Sequence, residues 1–120
     1  MKLPIELIYE IYNFSDVITK VKINKICNMK KEFDWIEICE KYKLSEEFIR
    51  EFSEEVYWDY ISVFQPLSDE LIREFSEKVN WYCIIGNQNM SASALELLIK
   101  DFPKCYISYY GKSPPRLNLL

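Results

Sequence analysis

Histidine is missing from this sequence. With it goes the side chain that most often acts as a general base, ligates a metal or activates a nucleophilic cysteine or serine. Glycine is nearly missing too. Gly86 and Gly111 stand alone, so no glycine-rich loop can cradle a phosphate. Cys27, Cys39, Cys83 and Cys105 form no C-x-x-C pair, and a zinc site has no ligand spacing to build on. No apolar run approaches the roughly 18 residues that a membrane span needs. Glu6 and Glu10 interrupt the N-terminal apolar stretch, where a signal-peptide core would lie. Nor is there a Lys/Arg stripe. Fifteen basic residues against nineteen acidic ones leave a net charge of −4, the wrong sign for a phosphate backbone. These deficits predict a chain with no catalytic residues, no cofactor, no metal, and neither nucleic acid nor membrane as partner. The cysteines are expected to be reduced and mostly buried, in an intracellular protein.

What the chain does have is apolar bulk. Hydrophobic residues make up 49% and aromatics 16%, enough for a core and too much for a disordered segment.

It also repeats itself. Residues 44–66 read LSEEFIREFSEEVYWDYISVFQP and residues 67–89 read LSDELIREFSEKVNWYCIIGNQN, with 13 of 23 positions identical. A more diverged copy fills 90–112, and a partial one fills 29–43. Trp35, Trp58 and Trp81 keep the 23-residue period, as do Ile38, Ile61, Ile84 and Ile107.

Within one copy, Leu44, Phe48, Ile49, Phe52 and Val56 recur at helical spacing. Ser45 suits an N-cap, and Glu46 and Glu47 sit where the helix dipole favours anions. Leu44 and Ile49 are placed as a hydrophobic staple. A first helix is predicted over about 46–55, with copies over 69–78 and 92–101. A shorter second helix follows, capped by Asp34 or Asn80. It carries Trp58 and Ile61, or Trp81 and Ile84, on one face, and it ends near Pro66, Gly86-Asn87 and Gly111. Each copy is thus a helix–turn–helix too small to bury its own apolar face. Stacking copies solves that problem. The predicted fold is all-α: a short α-solenoid of 23-residue repeats behind an N-terminal helical cap.

Several residues carry two readings. The tryptophans are core anchors rather than a ligand-stacking ladder. Gln65 and Gln88, at the unit ends, are expected to satisfy turn backbone groups. The exposed face of the first helix (Glu46, Glu47, Arg50, Glu51 and Glu54) is either a solvated surface with i,i+4 pairs or an acidic stripe bearing one arginine per repeat, Arg50 and Arg73, for a partner. Cys83 and Cys105 fall in adjacent copies and are read as spacers. In the tail, 113–120, Leu117, Leu119 and Leu120 either cover the end of the stack or form a short binding motif.

Residues 1–28 do not follow the repeat. Leu3-Pro4 opens a helix with proline in its first turn. Leu7, Ile8, Ile11 and Phe14 give that helix an apolar stripe, Ser15-Asp16 breaks it, and Val17, Val21, Ile23, Ile26 and Cys27 supply a second series. This order resembles the F-box: Leu-Pro, then an acidic residue and aliphatics, a polar break, and a Cys-bearing helix. The tryptophan expected after the Cys is not in place, and the segment is shorter than a complete F-box. The resemblance implies that Leu3, Pro4, Ile8 and Ile11 engage the Skp-type adaptor of a cullin ubiquitin ligase while the repeats present a target.

The repeat, over Leu44–Gln65 and Leu67–Gln88, resembles a short repeat found in many copies in proteins of giant double-stranded DNA viruses of amoebae and algae, often behind F-box-like N-termini. Fifteen Ile against two Ala, and twelve Lys against three Arg, fit the AT-rich coding of such a source. The resemblance implies an origin and a fold type more than an activity; the function expected of the chain is non-catalytic protein binding inside an infected cell, in the host cytoplasm. The alternative is a structural or self-associating scaffold, such as a minor virion component.

Overall fold

A computed structural model describes residues 3–87 and 90–111. The described residues are helical without strands: α1 (Ile5–Asn13), α2 (Val17–Cys27), α3 (Trp35–Lys41), α4 (Glu46–Glu51), α5 (Trp58–Phe64), α6 (Asp69–Glu74), α7 (Trp81–Asn87), α8 (Ala92–Asp101) and α9 (Pro103–Tyr110). They form two units, which divide between Asp34 and Trp35. Gln88 and the tail residues Leu117, Leu119 and Leu120 lie outside the described residues.

In the first unit α1 packs on α2. Asp16 starts α2 by accepting the Thr19 N–H at 2.7 Å. Lys20 lies over the Tyr12 ring, 5.4 Å from its centroid, and Lys31 lies over Tyr9 at 5.8 Å. Asn28 ends α2 in the left-handed region.

In the second unit the period read from the sequence becomes a period of contacts. The second helices of successive copies follow one another, α3 on α5, α5 on α7 and α7 on α9, while α6 packs on α8. Ile38, Ile61 and Ile84 are buried between them, with Phe48, Ile49, Leu71, Ile72 and Leu98. Each tryptophan reaches forward to a phenylalanine of the next copy. Trp35 meets Phe52 (ring centroids 5.6 Å apart), Trp58 meets Phe75 (4.8 Å) and Trp81 meets Phe102 (5.5 Å). The indoles are therefore core groups. Ile107 keeps the period but is 42% exposed, since no described helix follows α9.

Ser45, Ser68 and Ser91 cap α4, α6 and α8, each accepting the N–H three residues on at 3.1 Å. The first helices end earlier than their periodicity predicts. α4 stops at Glu51 and α6 at Glu74 rather than near 55 and 78, and only α8 keeps its full length to Asp101. A tryptophan holds the turn that follows each shortened helix. The indole N–H of Trp58 donates to the carbonyl of Ser53 at 3.0 Å, and that of Trp81 to Ser76 at 2.9 Å. Those carbonyls sit just past the helix ends, in turns closed on the Phe52 and Phe75 carbonyls. In the last copy Lys104 replaces the tryptophan, and α8 runs on to Asp101.

The cysteines depart from expectation. All are free thiols among the described residues, but Cys39 alone is buried. Cys83 and Cys105 are half-buried, and Cys27 is exposed at the end of α2, where two helices offer too little surface to cover it.

Candidate functional site

Three surfaces could carry function: the α1 face, the flank of the first helices, and a cleft between α5 and α7.

Leu7 and Ile11 of α1 and its C-cap Phe14 are spaced four and three residues apart, so they share a face. All three are exposed, Phe14 at 86%. Leu3 and Ile5 at the start of the unit, and Ile26 on α2 at 81%, are exposed as well. Among the unit's described residues Val21 is the only one fully buried. Of the residues singled out from sequence, Leu3 precedes the helix, Pro4 occupies the N-cap position of α1, Ile8 is half-buried and Ile11 is exposed.

The acidic flank of the first helices is largely spoken for. Glu46 accepts both the backbone N–H of Ser68, at 2.9 Å, and its hydroxyl, at 2.8 Å. Asp69 accepts the hydroxyl of Ser91 at 2.7 Å, one repeat later. Ser68 and Ser91 therefore each take an N–H from their own helix and give their proton to a carboxylate of the preceding copy. Lys78 pairs with Glu54 at 2.7 Å. Arg50 Nε donates to Glu74 at 3.0 Å, and its guanidinium is also 3.8 Å from Glu46. The hydrogen bond to Glu74 holds the Arg50 guanidinium more firmly protonated than usual. Arg73 donates to the hydroxyl of Ser93 in the next copy. Both arginines thus tie neighbouring copies together. Glu47, Glu51 and Glu55 remain exposed.

The cleft lies where α5 faces α7. Asp59, Tyr60, Val63, Phe64, Asn80 and Cys83 line about 380 Å³ of largely apolar space. Tyr60 and Phe64 stack, with centroids 6.1 Å apart. Asn80 caps α7 by accepting the Cys83 N–H at 3.2 Å, and it donates to Asp59 Oδ1 at 2.9 Å. Desolvation, reinforced by the charge of Asp59, pushes the Cys83 thiol up from its ordinary value, so this is no activated nucleophile.

Sequence reading passed over this cleft, although a signal was there. At the position of Asp59 the other copies carry Ile36, Tyr82 and Cys105. At the position of Cys83 they carry Glu37, Tyr60 and Tyr106. The repeat thus departs from itself on both walls of the same space.

Gln65 does what was expected of it. It is 3% exposed; its amide oxygen accepts the Leu44 N–H at 3.0 Å, and its amide nitrogen donates to the carbonyls of Cys39 (2.9 Å) and Tyr42 (2.7 Å). It holds the turn of the preceding copy.

Among the described residues no group of three Cys, Asp or Glu side chains could hold a metal ion, and no helix is long and apolar enough to cross a membrane. No protein-family model, curated protein or solved structure matches the chain.

Proposed function

We propose that this chain is a non-catalytic protein-binding module. In this reading the α1–α2 hairpin docks in an apolar groove of a partner, and the repeats serve as the platform that presents a second protein. One observation carries it: Leu7, Ile11 and Phe14 form an exposed helical stripe on a unit that also exposes Leu3, Ile5 and Ile26. Contiguous apolar surface of that kind marks an interaction site, and anchors at i, i+4 and i+7 are how an amphipathic helix enters a groove. The saturation of Glu46, Asp69, Arg50 and Arg73 by contacts between copies supports a platform role for the repeats rather than chemistry on that flank.

The F-box-like order of Leu3, Pro4, Ile8 and Ile11 names the first partner to try, a Skp-type ubiquitin-ligase adaptor. Calorimetry with the full chain and the purified adaptor tests it. Micromolar binding, lost on Ile11→Asp and on joint replacement of Leu3 and Pro4 by alanine, is the expected result. Absence of binding at micromolar concentrations removes the adaptor. If the chain instead sediments as a dimer that Ile11→Asp dissociates, the stripe serves self-association and the chain is a scaffold.

A further inference from the structure

The cleft between α5 and α7 has walls and a charge specific enough to name what would occupy it. Its walls are the rings of Tyr60 and Phe64 and the side chain of Val63, and its one ionised group is Asp59. Three observations set Asp59 apart from the scaffold. First, the carboxylate is not needed by the repeat, since Ile36, Tyr82 and Cys105 occupy its position in the other copies. Second, Asn80 fixes its direction through one oxygen at 2.9 Å, which leaves the remaining acceptor sites of the carboxylate for a donor. Third, the space beside it exists because copy 67–89 places Cys83 where the flanking copies place Tyr60 and Tyr106. A tyrosine there would project into the cleft that Cys83 lines.

An apolar slot with aromatic walls and a carboxylate suits a long aliphatic stem ending in a cation. The stem lies along Val63, Tyr60 and Phe64, the cation reaches Asp59, and the ring faces add attraction for its charge. The charge of the site excludes an anionic occupant, and its apolar walls give a small hydrated ion no further ligands.

We propose that the α5–α7 cleft receives a single lysine or arginine side chain of a protein partner, with Asp59 as the group that selects for the positive charge. The rest of the partner's contacts lie outside the cleft, so the isolated side chain binds weakly but selectively.

The test follows backbone amide signals of the full-length, isotope-labelled chain by nuclear magnetic resonance. The probes are N-acetyl-lysine methylamide, N-acetyl-arginine methylamide and the uncharged N-acetyl-norleucine methylamide. At least one cationic probe should shift the signals of Asp59, Asn80 and Cys83 saturably, and bind roughly five-fold tighter than norleucine, the scale of a partly exposed ion pair. Asp59→Asn keeps an acceptor for Asn80 and should bring that probe down to the norleucine level. Cys83→Tyr, which restores the residue of the flanking copies, should abolish all three. Glu96→Gln on α8 should change nothing. Ile11→Asp should leave the cleft signals and their response intact, so failure of the α1 reading and failure of this one are told apart. Equal binding of norleucine and the cations, indifference to Asp59→Asn, or no saturable shift with any probe would overturn the proposal.

Discussion

The backbone N–H of Asn80 donates to the hydroxyl of Ser62 at 2.9 Å, across the boundary between two copies. One repeat earlier the same register is held by Cys39, whose sulfur takes the N–H of Tyr57. One repeat later the positions are Ile85 and Pro103, an acceptor-less side chain opposite a residue without an N–H. Donor and acceptor vanish together, so no buried group is left unmet. The contact is thus part of how one copy recognises the next, and its chemistry can change only as a pair.

Replacing Ser62 by alanine breaks that pairing on one side. Ser62 is fully buried, and the Asn80 N–H would face an apolar methyl. A loss of about 1–3 kcal/mol is expected in urea unfolding, the penalty for stranding one buried donor. Ser62→Cys should cost less, because Cys39 already serves as the acceptor in the preceding copy.

Gln65 spans a larger gap. Gln65→Leu leaves the Leu44 N–H and the Cys39 and Tyr42 carbonyls without their partner, for an expected loss of roughly 2–4 kcal/mol. Gln65→Glu is the more telling variant. Its ionised carboxylate would be buried against two carbonyl oxygens, so the folded state favours the protonated acid and raises its pKa above the unfolded value of about 4.3. The variant should be most stable below that value. It should lose stability as pH rises from there through the raised folded value. Unfolding midpoints measured from pH 3.5 to 7 decide this, and a flat profile relative to the parent refutes it.

The period, the serine caps and the core isoleucines could be read from the chain because local chemistry sets them: a serine before an apolar series caps wherever it is placed, and a 23-residue echo of Trp and Ile needs a repeated pocket. The helix ends could not, since the apolar periodicity runs on past Glu51 and Glu74 while the chain there turns on the Phe52 and Phe75 carbonyls, with indoles from later in the chain reaching back to the Ser53 and Ser76 carbonyls. The flank of Glu46 and Arg50 looked like surface because partners such as Ser68 and Glu74 lie a full repeat away. The α5–α7 cleft was legible in principle, as two positions where one copy breaks the pattern. It needed the knowledge that positions 59 and 83 face each other.

Asp16 gives the first unit a pH signature. Its carboxylate accepts the backbone N–H and the side-chain hydroxyl of Thr19, with the Ile18 N–H adding to them, and together these outweigh the small effect of burial and hold it below its ordinary 3.8. A depressed folded value means that the cap stabilises α2 at neutral pH and is lost as pH falls below the unfolded value through the folded one. The Thr19 amide signal should follow that titration. Asp16→Asn should keep the cap and flatten the acid limb of α2 helicity.

Arg50 and Glu74 offer a test of what the arginines are for. If the pair ties copies together, Arg50→Ala and Glu74→Ala should be non-additive, and the coupling should shrink as salt is raised, because both side chains are partly exposed. Arg50→Lys should recover only part of it, having lost the planar fork. Additive effects at low salt would free Arg50 for a partner instead.

Trp81 separates packing from hydrogen bonding within one side chain. It is buried, its ring lies 5.5 Å from Phe102, and its N–H ends on the Ser76 carbonyl. Trp81→Phe keeps a ring against Phe102 but strands that carbonyl, and about 1–2 kcal/mol should be lost. Trp81→Ala empties the pocket beside Ile84 and Leu98 and should cost about 3–5 kcal/mol. In the phenylalanine variant the turn after Glu74 loses its tie to the indole, while the Asn80 N–H that a longer helix would need stays on Ser62. Faster hydrogen exchange in residues 77–80, beyond the change in global stability, is the expected result. Exchange there that only follows global stability would mean that Phe75 and its turn hold the segment without help from the tryptophan.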